Sequence, residues 1–105
     1  MEGFPDELSE YTGFRWDAGN ADKNWDLHQV SQVEWEQVFF NRPILVASEE
    51  KHSQGKPRYA ALGQTNAGRR LAVIFTVCDP LLRVISGRDM SRRELRVYEE
   101  ASEGY

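Results

Sequence analysis

Arg88, Arg92, Arg93 and Arg96 fall within nine residues of a chain whose formal net charge is -4. Arginine carries five donors on a rigid planar fork, a shape that fits phosphate or carboxylate. Arg92 and Arg93 fall where the sequence predicts the first turn of a helix. A cation there opposes the helix dipole at a cost of about 0.3–1 kcal/mol each, whereas an anion is favoured. An anion nearby would reconcile the two. Three readings stay open: the phosphate of a nucleic acid, the carboxylates of a protein partner, or a solvated face paired internally with Glu94, Glu99 and Glu100. Arg96 and Glu100 make a favourable i,i+4 pair, and Arg92 and Arg96 a repulsive one. Arg83 and Arg88 stand five positions apart. In a regularly alternating strand they point to opposite faces and need not share a site.

Two histidines add proton chemistry. His28 falls at the end of a predicted helix, where it can exchange a proton near neutral pH or serve as a structural cap. His52 sits in a polar loop with Glu49 and Glu50, which together make a poor metal site. Cys78 is the only cysteine. That excludes an intrachain disulfide and a cysteine-rich zinc site, and its place at the end of an apolar strand suits a small filler. There is no glycine-rich phosphate loop, CxxC pair, HExxH motif or nucleophile elbow. No metal and no cofactor is expected.

The totals fit one soluble domain. A chain of 105 residues buries roughly 60–65% of its unfolded surface. An isoelectric point near 5.2 argues against sequence-blind nucleic-acid binding but leaves room for a local basic site. The opening MEGFPDELSE has four acids and no base, unlike a signal peptide. The run LAVIF is far too short to span a bilayer.

Residues 1–12 read as an acidic arm, 13–101 as one domain and 102–105 as a frayed end. Asp17 is an expected N-cap for a helix from Ala18 to about His28. Ala18, Ala21, Trp25 and His28 share one face of it, Asn20, Asn24 and Leu27 another. Gly19 and the asparagines are poor helix formers, so packing of Trp25 must hold the helix. Ser31 and Glu34 match a capping box. Trp35, Val38 and Phe39 form the buried stripe of the second helix, which Pro43 stops at residue 41 or 42. The period then becomes extended. Strands are expected over 44–48, 58–64, 70–78 and 81–88, with a turn at Asn66 and Gly68 and another at Asp79 and Pro80. The near-continuous apolarity of 70–78 suggests a central strand covered on both faces. Ser91 and Glu94 form a second capping box opening a last helix, with Leu95 and Tyr98 against the sheet. The expectation is an α+β domain: two N-terminal helices, a small antiparallel sheet of three to four strands and a C-terminal helix.

FRWD at Phe14 to Asp17, Asn24, His28 with Val30, the VFF ending the second helix, His52, RYAALG from Arg58, RRLAVIFT from Arg69 and RVISGRDMSRRELRVYEE from Arg83 resemble, in order and spacing, the BrnT ribonuclease toxins of bacterial type II toxin–antitoxin systems. The likeness covers about residues 14–100. It implies a RelE-like fold, metal-independent cleavage of RNA and inhibition of translation in the cytoplasm. It implies as partner a BrnA-like ribbon–helix–helix antitoxin, with DNA bound only through the complex, and no membrane. Carried over by position, the pattern marks His28, Arg58, Arg83, Arg88 and Tyr98 as catalytic candidates. Arg88, Arg92, Arg93 and Arg96 would hold phosphate, with Arg88 foremost. The chemistry would be attack of a 2′-OH on the adjacent phosphate, with arginines stabilising the developing charge.

The departures point the other way. The family usually has Lys at the position of Asn20, Lys or Arg at that of Leu27, and Gly at that of Gln29. Fewer cations weaken steering and transition-state stabilisation. The alternative is therefore a non-catalytic or weakly active relative that serves as a protein-binding module in a repressor complex.

Overall fold

A computed structural model describes residues 13–15, 18–48, 57–78 and 81–103. Three helices surround a five-stranded mixed sheet. The elements are β1 (Gly13–Arg15), α1 (Ala18–His28), α2 (Gln32–Phe40), β2 (Leu45–Ser48), β3 (Arg58–Gln64), β4 (Arg70–Cys78), β5 (Leu81–Asp89) and α3 (Arg92–Glu103). The strand order is β1-β5-β4-β3-β2, antiparallel except for β1, which runs parallel to β5. The expected sheet of three to four antiparallel strands is thus corrected by a fifth, parallel strand. Three residues offer too little alternation to announce it.

The capping boxes form as expected. Ser31 Oγ accepts from the Glu34 N–H, and Glu34 Oε1 accepts from the Ser31 N–H at 3.0 Å. The second box repeats this at α3, with the Ser91 N–H donating to Glu94 Oε1 at 2.8 Å. Gly68 has φ +87, a conformation that glycine adopts without strain, and its N–H closes the β3–β4 turn on the Thr65 carbonyl. Ser102 and Glu103 are still helical where fraying is expected. The acidic arm, Asp17, Glu49, Glu50, His52 and the Asp79–Pro80 turn lie outside the described residues.

The core occupies one face of the sheet. Trp35, Val38 and Phe39 of α2 meet Ala61, Leu71, Val73, Phe75 and Val84, all buried. Phe75 stacks edge-on against Phe39, with centroids 5.1 Å apart. Gly87 lets the Trp35 indole lie directly on the β5 backbone, where any Cβ would collide with the ring. The opposite face carries α3, anchored by Tyr98, which is fully buried and donates its hydroxyl to the Pro43 carbonyl at 2.7 Å. The anchor of α1 is not the expected Trp25. Trp25 is half exposed, whereas Asn24 is buried, its Oδ1 accepting the Gly87 N–H at 2.9 Å. β1 pairs with β5 only at Leu81, Leu82 and Arg83. Beyond them β5 has an open edge, and α1 satisfies that edge with an amide where an aromatic ring could not.

Candidate nucleic-acid interface

The second face of the sheet resolves into cross-strand rows. Residues paired directly across strands share a face, so the register fixes each row. Leu45, Leu62, Ala72 and Arg88 form one row, Ala47, Ala60, Ile74 and Ser86 the next, and Arg58, Thr76, Arg83 and Arg15 the third. α3 reaches the first row through Arg88, which meets Glu94. The second row is small or apolar and only partly buried. The third carries three arginines at one end of the sheet, Arg83 and Arg15 adjacent and Arg58 one strand beyond Thr76.

This arrangement overturns the expectation that Arg83 and Arg88 face opposite ways. Ser86 pairs with Ile74 and Val84 with Phe75, so Ile85 is an extra residue on β5. Such a β-bulge shifts the alternation by one position. Arg83 therefore joins Arg88 on one face, and the distance along the strand, not the face, separates them.

Arg88 meets Glu94 through a bidentate pair of 2.6 and 2.9 Å and also donates to the Asp89 carbonyl at 3.1 Å. Hydrogen bonding to Arg88, against burial, holds the Glu94 carboxyl down at about 2, with the Ser91 backbone helping. The same pair raises the Arg88 guanidinium above its ordinary value. The anion that the arginine-rich helix start calls for is thus Glu94 itself, which caps α3 and binds Arg88 at once. Arg92, Arg93 and Arg96 are exposed. The groove that Arg92 and Arg96 line is shared with Glu99, Glu100 and Glu103, so its charge is mixed. Tyr98 spends its hydroxyl on Pro43 and packs its ring under Arg70, 5.2 Å from the guanidinium carbon.

Arg58 and Arg83 come together, flanking Thr76, and Arg15 extends the row. Neither Arg15 nor Arg58 forms an ion pair with a described residue. Thr76 is buried and donates its hydroxyl to the Pro57 carbonyl at 2.7 Å, tying it to the start of β3 beside Arg58.

His28 is exposed at the end of α1, and it lines a cavity of about 80 Å³ with Lys23, Asn24, Leu27, Ile85 and Ser86. The cavity therefore opens beside the bulge, two residues along β5 from Arg83. Lys23 and Leu27 share it, so a cation remains on this side of α1 although Leu27 is apolar.

Two participants escaped the sequence. Arg15 is carried by the three-residue β1. Arg69 donates to Asp89 (2.8 and 3.1 Å), to Glu34 (3.0 Å) and to the carbonyls of Gln29 (2.8 Å) and His28 (3.3 Å). Its partners lie 20 to 41 positions away, beyond the reach of local patterning. Arg69 thereby joins the end of α1, the cap of α2 and the end of β5. Its hydrogen bond holds Asp89 below the usual carboxylate range, with the charge of His28 adding to the effect. Burial pushes Glu34 up, but the Ser31 N–H and Arg69 together outweigh it, and the carboxyl is lowered. Gln29 has φ 55, a left-handed C-terminal position where glycine is the usual occupant. Here the Gln29 Nε2 donates to the Trp25 carbonyl at 2.8 Å, capping α1 with a side chain.

Fold and site together define a small α+β domain with an arginine-bordered sheet face. The model of the family described as the ribonuclease toxin BrnT of type II toxin–antitoxin systems matches residues 16–94. The crystal structure of the Brucella abortus ribonuclease toxin BrnT superposes with a TM-score of 0.53 at 24% identity, covering 77% of this chain and 99% of that one. No curated protein matches the sequence. The chain belongs to the BrnT family of ribonuclease toxins of type II toxin–antitoxin systems. Among the described residues no helix is long and apolar enough to cross a membrane.

Proposed function

We propose that the protein is a metal-independent endoribonuclease that inhibits translation in the cytoplasm and is neutralised by a BrnA-like antitoxin. The observation that carries this reading is the bulge at Ile85, which brings Arg83 into line with Arg58 and Arg15 beside a strip of sheet that the described residues leave only partly buried. Three guanidinium groups in one row give a phosphodiester a fixed set of donors. They stabilise charge that develops on the phosphate during attack by the 2′-OH, the step at which preorganised donors count most. His28 lies on the same side of β5 and exchanges the proton. Arg88 and Tyr98 act by holding α3 against the sheet, and Arg92, Arg93 and Arg96 contribute long-range attraction for RNA.

The antitoxin reading has its own support. Val33 and Phe40 lie seven positions apart on the outer side of α2 and are 63% and 74% exposed. Large apolar side chains left open on one helix face suit a protein partner. The wider frame is a RelE-like toxin bound by a ribbon–helix–helix antitoxin, through which alone the complex meets DNA.

Purified protein is expected to cut single-stranded RNA in EDTA, and Arg83→Ala to slow this about 10²–10³-fold, the usual loss for one transition-state donor. An RNA substrate left intact by the wild-type chain at stoichiometric concentration would leave only the binding-module alternative.

A further inference from the structure

We propose that the outward face of α3 is a self-association surface, on which a second copy of this chain lies antiparallel to the first. The inference goes beyond the ribonuclease reading and does not rest on it.

The charges of α3 run against the helix that carries them. Arg92 and Arg93 stand in its first turn, while Glu100 and Glu103 stand in its last turn, which has no base. Cations are unfavourable at a helix N-terminus and anions at its C-terminus. The spacing adds to the cost. Arg92 and Arg96, like Glu99 and Glu103, are equal charges four positions apart, and such pairs repel. Glu94 relieves little of this, because its carboxylate is bound by Arg88 and by the Ser91 N–H. Arg92, Arg96, Glu100 and Glu103 form no ion pair with a described residue, although Arg96 and Glu100 stand at favourable spacing. Glu99 meets Arg70 only at 3.9 Å and stays exposed.

An antiparallel copy turns each of these costs into an attraction. Arg92, Leu95, Arg96, Glu99, Glu100 and Glu103 line a groove of about 430 Å³, and all six are exposed. They recur at spacings of three and four, so they form one stripe along the helix. A two-fold axis across the stripe, midway between Arg96 and Glu99, sets Arg96 against the partner's Glu99 and Arg92 against the partner's Glu103. Leu95 then faces the partner's Glu100. One operation thus gives both arginines of the stripe a glutamate, and each arginine-bearing helix start lies beside the partner's acidic helix end. A parallel copy would bring like charges together. A closed two-fold interface requires a patch complementary to itself, and the charge order of α3 meets that requirement.

The size of the stripe sets the strength. Its eleven-residue span is about 16 Å long, and one such stripe buries less than the roughly 800 Å² per partner of a standard interface. The association is therefore weak, held mainly by charge and screened by salt.

The test is sedimentation velocity on the full chain, from micromolar to millimolar concentration, at low and at high salt. A dimer that grows with concentration at low salt and dissociates at high salt is expected. Arg92→Glu or Glu103→Arg alone sets like charges together at two symmetry-related contacts and should weaken the dimer about tenfold. The two changes in one chain restore opposite charges with the direction exchanged, and association should return to within a few-fold of wild type. Both positions are exposed, and circular dichroism checks that each variant is folded. A wild-type chain that stays monomeric at millimolar concentration in low salt overturns the proposal. So does a double variant as weak as the single ones, because the two residues then do not meet. A monomer whose RNA affinity falls with Arg92→Glu would give the stripe to RNA instead.

Discussion

Arg83 and Arg88 share a strand and, through the bulge, a face, yet their surroundings are opposite. Beside Arg88 lies the start of α3, which brings Glu94 to within 2.6 Å. Beside Arg83 lie Thr76 on one neighbouring strand and Arg15 on the other. Directly opposed like charges are destabilising in a sheet, and a bound polyanion reverses the sign of that term. Arg88 is held by Glu94, whereas Arg15 and Arg58 form no ion pair with a described residue. A local density of arginine does not by itself mark a phosphate site. What decides is which carboxylates the tertiary structure delivers to each guanidinium.

The comparison can be sharpened by removing each side in turn. The largest effect is expected from replacing Arg15, Arg58 and Arg83 together with alanine. RNA affinity should fall by orders of magnitude, and the slope of log affinity against log salt should drop by about 2, from ~0.7 per lost phosphate contact. Filter binding at several salt concentrations measures both. An unchanged slope would mean that RNA is held elsewhere.

Next in size is Arg69→Ala, which strips Asp89, Glu34 and two α1 carbonyls of a donor at once. A loss of about 2–3 kcal/mol in urea unfolding is expected, in the range for hydrogen bonds to charged groups. Were the change to leave the midpoint untouched, the junction of α1, α2 and β5 would not depend on this residue.

Arg88→Ala should cost less, about 1 kcal/mol, because the pair is partly exposed. It also has a pH signature. The Glu94 carboxyl is depressed in the folded state to about 2, so the pair contributes fully above the ordinary glutamate range. That contribution fades as the pH falls from there toward about 2. Thermal melts at pH 7 and pH 3 should show a smaller loss on acidification in Arg88→Ala than in the wild type. Equal losses would mean that Glu94 is not held by Arg88.

The smallest effect is expected at Gln29. Gln29→Gly relieves the left-handed backbone but gives up the side-chain bond to the Trp25 carbonyl. Opposing terms of this kind leave a net change under about 1 kcal/mol. A melting temperature within a few degrees of wild type would show that this departure from the family's glycine is compensated locally.

The sequence was most legible where the determining chemistry is local. Ser31 with Glu34, and Ser91 with Glu94, announced two helix starts within four residues each, and the apolar runs placed β3 and β4 to the residue. The family resemblance likewise rests on short ordered motifs. What stayed hidden depends on contacts between distant segments. The Ile85 bulge has no residue-type signature, so strict alternation sent Arg83 to the wrong face. Trp25 looked like the anchor of α1 because large rings usually are. The open edge of β5 needed a hydrogen-bond acceptor, and Asn24 supplies it. Arg88 drew attention by its charged neighbourhood, but only the packing of α3 reveals that Glu94 occupies it.

RNA cleavage in EDTA by wild type, Arg83→Ala and Arg88→Ala, each first shown to be folded, tests the central claim most directly. Loss of about 10²-fold or more in Arg83→Ala, with Arg88→Ala within a few-fold of wild type, is the result predicted. Full activity in Arg83→Ala together with loss in Arg88→Ala would contradict it and return the phosphate site to the α3 end of the sheet.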